Sequence, residues 1–205
     1  MRRCNLVTLA SASPRRVELL ERLGVGCLVV PSDAAEEDIT PETVAAQFPD
    51  LSPTDCARQV TLERTRAKAA LVSPQPGTTI AIAADTTVAV EREILDKPQS
   101  VEEARQMLRR LSDITHHVHT AVRVYTSTGF QTEVVVTTAV KMCALTSEDI
   151  EWYLESEEWR GVAGGYRIQG RGSAFIRTIH GNPDAVMGLP TAEVYSILSS
   201  LEASA

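Results

Sequence analysis

The stretch from Asn5 to Arg16 leaves the chain few choices. Asn5 to Ala10 is mostly apolar and has the length of one buried strand. Ser13 is a favoured helix N-cap, and Pro14 suits the first helical position, where its missing N–H costs nothing. Val17, Leu20 and Leu23 then recur at helical spacing, and Gly24 is placed to end the helix. Strand, small polar turn and helix in that order make an α/β unit, and the start of its helix favours an anion through unpaired N–H groups and a partial positive charge. Arg15 and Arg16 fall in the first turn, where cations oppose the helix dipole unless an anion sits between them. Their planar forks suit phosphate oxygens. The plainer alternative is two solvated arginines beside an ordinary cap.

A chain of 205 residues can hold one large domain or two small lobes around a real core. Its net charge of −7 argues against a general nucleic-acid binder but permits a local basic pocket for a small anion. Cys4, Cys27, Cys56 and Cys143 are scattered, with no zinc-like spacing, which fits a reducing compartment. Arg2 and Arg3 are not followed by an export-type apolar stretch, and no run approaches membrane-spanning length. The expectation is a cytoplasmic protein without a membrane partner.

Further along, Cys27 to Val30 reads as a second strand, and Asp33 to Asp38 as an acidic loop containing Glu36. Thr40-Pro41 opens a short helix to about Phe48, and Ser52-Pro53 a longer one to about Val72. On the longer helix Val60, Arg64, Lys68 and Leu71 lie near one another; basic side chains beside an apolar stripe more often snorkel at the core edge than aim into a cleft. Thr79 to Ala84 is a continuous apolar strand followed at once by Asp85-Thr86-Thr87. A carboxylate at the end of a buried strand costs desolvation unless it has a partner, which makes Asp85 the most informative acid in the chain. Val88 to Leu95 reads as a small hairpin, and Ser100-x-x-Glu103 as a capping box opening a helix to Leu111. His116 to Ser127 and Phe130 to Leu145 read as paired strands turning at Thr128-Gly129. His117 and His119 share one side of the first, a surface or cleft wall rather than a metal site, because no third ligand is spaced nearby. Thr146 opens a helix to about Ser156, Ser173 to Ile179 is a strand, and Pro190 to Leu201 is a last amphipathic helix. Between them, the glycines from Gly161 to Gly172 let the backbone approach a ligand, but their order fits neither a dinucleotide fingerprint nor a P-loop.

Taken in order, Leu9-Ala10-Ser11 through Pro14-Arg15-Arg16, Glu36, Lys68-Ala69, Ala84-Asp85-Thr86, Lys97-Pro98, Leu111-Ser112 with Thr115-His116, Tyr166-x-Ile168-Gln169-Gly170 and Val186-x-Gly188-Leu189-Pro190 resemble the Maf family, nucleoside triphosphate pyrophosphatases first named as septum-formation inhibitors. The resemblance covers nearly the whole chain and implies a single Maf-like domain over 1–205. It implies an elongated α/β mixed-sheet fold with two lobes around a cleft, like the inosine-triphosphate pyrophosphatases. It also implies cleavage between the α- and β-phosphates with a divalent metal cation, Mg²⁺ or Mn²⁺. Family members are often dimers, so a homodimer is expected.

Set on these residues, the resemblance makes Asp85 the base and, with Glu36, a metal ligand. Ser11, Arg15, Arg16 and Lys97 would grip the phosphates, with Lys68 second choice for that task. Arg15, Thr86 and Gln169 are the positions linked to base preference. Ile168-Gln169-Gly170 resembles the branch acting on dTTP and UTP, whereas the branch preferring 7-methyl-GTP usually carries Ser-Glu-Gly there. Two departures stand out: Val162 lies where many members have lysine in an Asp-Lys-Ala-Gly stretch, and Ser112-Asp113 replaces the commoner Ser-Gly. The rival readings are a nucleotide-binding regulator of cell division that works through protein contacts, a 7-methyl-GTP pyrophosphatase, and an enzyme clearing modified nucleotides.

Overall fold

The structure is a computed structural model that describes residues 6–32, 34, 36–91 and 93–203. The readings that involve Arg2, Arg3, Cys4, Asn5, Asp33, Ala35 and Arg92 lie outside the described residues. The strands are β1 (Leu6–Ala10), β2 (Gly26–Val29), β3 (Ile80–Val90), β4 (Glu93–Leu95), β5 (Thr115–Thr126), β6 (Gln131–Met142) and β7 (Ile176–His180). The helices are α1 (Pro14–Arg22), α2 (Pro41–Gln47), α3 (Pro53–Leu71), α4 (Val101–Leu111), α5 (Ser147–Leu154), α6 (Pro183–Met187) and α7 (Thr191–Ala203), with 3₁₀ turns at Glu36–Asp38, Ala163–Gly165 and Arg171–Phe175. All seven strands form one mixed sheet in the order β2-β1-β3-β5-β6-β7, with β4 also paired to β3.

The register of β3 decides where a ligand can enter. On one side β3 pairs with β5 along nearly its whole length, from Ile80 opposite Thr126 to Ala89 opposite His117. On the other side it has two short neighbours. Parallel β1 ends with Ala10 opposite Ala83, and antiparallel β4 pairs only from Val88 onward, where its last residue Leu95 lies opposite. Between them the sheet edge at Ala84, Asp85, Thr86 and Thr87 has no strand beside it among the described residues. The gap opens beyond the carboxyl end of β1, where open α/β sheets bind ligands.

The two faces of β3 explain why it can carry polar residues in its middle. On one face Ile80, Ile82 and Ala84 join a core with Leu19, Leu20, Val194 and Leu198 from α1 and α7. Farther along the same face Val88 and Val90 join a second core with Leu108, Leu111, Ile150 and Tyr153 from α4 and α5. Thr86 falls at the seam, so the expected two lobes are two cores strung along one strand. On the opposite face the small residues Ala81 and Ala83 let α3 pack close, and Thr87 meets Thr61 of α3 through a hydroxyl pair at 2.6 Å.

Some local readings are corrected. Asp85 does not follow the end of a strand; β3 runs on through Thr86 and Thr87 to Val90, because α3 partners Asp85 and Thr87 on one face and Arg16 of α1 partners Thr86 on the other. Ser13 occupies the N-cap of α1 without capping it, and instead its N–H donates to Ser11 Oγ at 3.2 Å. In α4, Ser100 accepts from the Glu103 N–H, but the Glu103 carboxylate reaches back to Gln99 N–H rather than to Ser100. The Asp113 departure keeps a glycine-like turn, since Asp113 adopts φ 53°, which aspartate tolerates better than most side chains.

Of the two histidines expected at a surface or cleft wall, His117 is half-buried, whereas His119 is not at a surface. His119 is fully buried against Thr137 at 2.9 Å, and His116 is fully buried against the Tyr166 hydroxyl at 2.6 Å. Burial, reinforced by the neighbouring His117, pushes both pKa values from 6.5 down to about 4. Between those values the unfolded chain binds more protons than the folded one, so stability falls as the pH drops through this window. Each histidine should cost roughly 2 kcal/mol by pH 5. Denaturant midpoints measured from pH 7 to pH 5 check this, and His119→Gln should flatten the slope by about half.

Candidate active site

The first wall of the gap is the turn from Ser11 to Arg16. Arg16 is 7% exposed and held on every arm: Nε donates to Gly188 O at 2.9 Å, one terminal nitrogen to Ser11 Oγ at 2.6 Å, and the other to Thr86 Oγ1 at 3.3 Å. Thr86 meets Thr120 at 3.0 Å, and the Thr120 hydroxyl donates to Ala185 O at 2.7 Å. With Thr120 already committed as a donor, Thr86 must donate to it. The polar seam between the two cores is therefore a directional chain from Arg16 through Thr86 and Thr120 to α6. The Val186 to Pro190 motif takes part through Gly188, whose φ of 123° ends α6 and brings its carbonyl to Arg16.

The second wall is α3. Lys68 is 6% exposed and donates to Asp85 Oδ1 at 2.6 Å, while its ammonium lies 2.9 Å from Glu36 Oε2. One helical turn earlier, Arg64 bonds Asp96 at 2.6 Å and Ile39 O at 3.0 Å, and Asp96 O in turn accepts from Gly164 N–H at 3.2 Å. Arg64 and Lys68 thus do not snorkel; both are buried and tie three separated segments to the edge of the gap. Four-residue spacing placed them correctly on one face, but only the neighbouring carboxylates decided that the face turns inward.

One cavity of about 500 Å³ joins these walls, within the usual range for small-molecule sites. Its lining includes all nine residues singled out in the sequence: Ser11, Arg15, Arg16, Glu36, Lys68, Asp85, Thr86, Lys97 and Gln169. Arg15 and Asp85 line the same space, with Gln169 at an exposed position of the wall. Sequence reasoning missed Ser32, Arg160, Tyr166 and Arg167, which also line it. For Arg160, Tyr166 and Arg167 the only early signal was membership of, or closeness to, a motif read for its glycines, and Ser32 carried none. Val162 is buried and lines the cavity with an apolar side chain.

Six cationic side chains and two carboxylates line the cavity of a chain whose net charge is −7. Burial alone pushes the Asp85 pKa up, but Lys68, Arg16 and Arg64 together outweigh it and hold the carboxyl below the usual aspartate range. Burial, followed by the charges of Arg167 and Arg16, pushes Arg15 down to about 10, and burial lowers Arg16 as well. Arg15 therefore stays charged at neutral pH. Glu36 and Asp85 are the pair fitted to a hard divalent cation: they converge on one ammonium, and Asp85 Oδ2 is buried with no partner among the described residues. Among the described residues no cluster of three or more His, Cys, Asp or Glu side chains could hold a metal by itself.

Fold and site together define an α/β protein with a basic cleft at an open sheet edge, equipped for a polyphosphate anion. The sequence model of the family described as Maf-like protein matches residues 6–201, and the chain belongs to that family. It is 40% identical over 195 residues to the dTTP/UTP pyrophosphatase of Escherichia coli (strain K12), covering 95% of this chain and 92% of the relative. The dTTP/UTP pyrophosphatase of Sphingopyxis alaskensis (strain DSM 13593 / LMG 18877 / RB2256) is 38% identical, covering 95% of this chain and 96% of the relative. Among solved structures, a HAM1 protein from Coxiella burnetii aligns with a TM-score of 0.45 and 14% identity over 95% of this chain and 98% of that one. No helix among the described residues is long and apolar enough to cross a membrane.

Proposed function

We propose that this protein hydrolyses dTTP and UTP to the nucleoside monophosphate and pyrophosphate. The observation that carries the reading is the gap beside β3, where an ionised Asp85 faces a cavity whose other walls hold an excess of cations. Water attacks the α-phosphorus, its proton passes to the Asp85 carboxylate, and the bond from the α-phosphorus to the bridging oxygen breaks as pyrophosphate leaves. The Ser11 to Arg16 turn and Lys97 hold the phosphate oxygens and offset charge on the departing group. Glu36 and Asp85 would hold Mg²⁺ or Mn²⁺, which when bound supplies Lewis-acid neutralisation of phosphate charge.

Lys68 sets the strength of the base. Its bond to Asp85 keeps the carboxylate ionised but weakly basic, and a phosphate that draws the ammonium away raises Asp85 basicity as substrate binds. Gln169 carries a donor and an acceptor that match the carbonyl and N–H edge of a pyrimidine. Purified protein given Mg²⁺ should release pyrophosphate from dTTP and UTP at least about tenfold faster than from 7-methyl-GTP, which is roughly 1.4 kcal/mol of discrimination. Faster turnover of 7-methyl-GTP would overturn the substrate assignment. Nucleotide binding without pyrophosphate release would favour the regulator reading.

A further inference from the structure

The loop that places apolar Val162 in the cavity wall also brings two cationic side chains to it, Arg160 and Arg167. Arg160 is already engaged: it pairs with Glu157 at 2.7 Å and lies 4.5 Å over the Trp159 ring. Arg167 is not. Its backbone N–H donates to the Tyr153 hydroxyl at 3.1 Å and one terminal nitrogen to Arg160 O at 3.2 Å, so the residue is anchored by neutral groups. Its Nε is buried with no partner among the described residues, and no ion pair among them includes it. Arg15 lines the same cavity; its own Nε makes only a long 3.4 Å contact with Met187 O, and after burial the charge of Arg167 is the next influence that lowers its pKa. Two arginines lining one cavity without a carboxylate between them repel each other, and a buried N–H without an acceptor adds to the cost. A ligand with several anionic oxygens relieves both, whereas an uncharged base edge relieves only the second.

We propose that Arg167 is a phosphate-binding residue of this site, closing with Arg15 on the polyphosphate chain of the substrate. The proposal rests on the pyrophosphatase reading of the cleft. Tyr153 fixes where Arg167 stands, because its hydroxyl accepts from the Arg167 backbone whatever the side chain at 167. A substitution there therefore removes the charge and leaves the loop tied.

The test uses the full chain and inorganic pyrophosphate, which lacks a base and needs no turnover. Calorimetry on Arg167→Met should show pyrophosphate binding weakened about tenfold or more, with a shallower salt dependence, while affinity for the uncharged nucleoside thymidine stays within about twofold. Arg167→Lys should keep most of the affinity, and adding Val162→Lys to Arg167→Met should restore part of it. Unchanged pyrophosphate binding in a folded Arg167→Met protein overturns the proposal. So does loss confined to thymidine, which would make Arg167 a reader of the base. Turnover of dTTP by the unaltered protein, measured alongside, separates the two levels: intact turnover with pyrophosphate binding indifferent to residue 167 overturns this proposal alone, and absent turnover overturns the pyrophosphatase reading. Should Arg167→Met melt well below the parent, Arg167→Gln, which keeps a polar head, carries the same comparison.

Discussion

Asp85→Asn should lower the rate of pyrophosphate release by roughly a hundred- to ten-thousand-fold, the usual contribution of a positioned general base. Asparagine keeps the volume and one oxygen towards Lys68, and Lys68 keeps Glu36, so the cost in stability should be only about 1–3 kcal/mol. The loss is expected in kcat, because Arg16, Lys97 and the Ser11 turn, which line the same cavity and are proposed to hold the phosphates, are unchanged. Steady-state rates with dTTP beside a denaturant titration of the same preparation check both halves. Turnover within a few-fold of the parent would remove Asp85 from the role of base.

The second large effect is expected at Lys68, which sits between two carboxylates while itself 6% exposed. Lys68→Met leaves Asp85 buried with Arg16 and Arg64 as its remaining cationic influences. Breaking a buried pair in this way costs about 3–5 kcal/mol, and the lower end applies because Glu36, only partly buried, can turn to water. The sign of the pH effect follows from the direction of the Asp85 shift. In the parent the depressed carboxyl contributes stability above the unfolded aspartate value of 3.8, and that contribution is lost as the pH falls through the lower folded value. Without Lys68, burial dominates and the carboxyl shifts upward, so the variant regains relative stability on mild acidification and the acid limb of its pH–rate profile moves to higher pH. An acid limb unmoved by the substitution would mean that Lys68 does not set the ionisation of Asp85.

Much of the site was legible because its parts sit at places where local chemistry is strongly constrained. A cap, a proline and two arginines in one helical turn announce an anion site, and an aspartate directly after a run of alanine and isoleucine announces a buried charge needing partners. The nine residues assigned from motifs do line one cavity. Reading failed where partners come from far along the chain. Alternation and the lack of a third ligand place His117 and His119 on a surface or cleft wall, but at His119 that face is covered and the ring lies buried beside Thr137, while His117 is half-buried. Arg64 and Lys68 were read as snorkelling because nothing local shows that Asp96, Asp85 and Glu36 converge on α3. Arg167 was passed over within a stretch read for its glycines, since a lone arginine carries no sign of where its side chain points.

From the sequence alone come the α/β class, the order of elements, the position of α1 after a buried strand, and the residue types able to hold a polyphosphate. All of these follow from short-range periodicity, capping chemistry and the resemblance carried by motifs in order. Tertiary structure alone decided that β1 stops at Ala83 and β4 starts at Val88 along one edge of β3, which leaves Asp85 and Thr86 beside an opening rather than inside a closed sheet. It alone decided that Lys68 spends its charge on two carboxylates and that Arg167 has none among the described residues. The reason is one of distance along the chain: strand register and ion pairing join residues from 17 to 73 positions apart in this site, and no local preference encodes which of those meetings occurs.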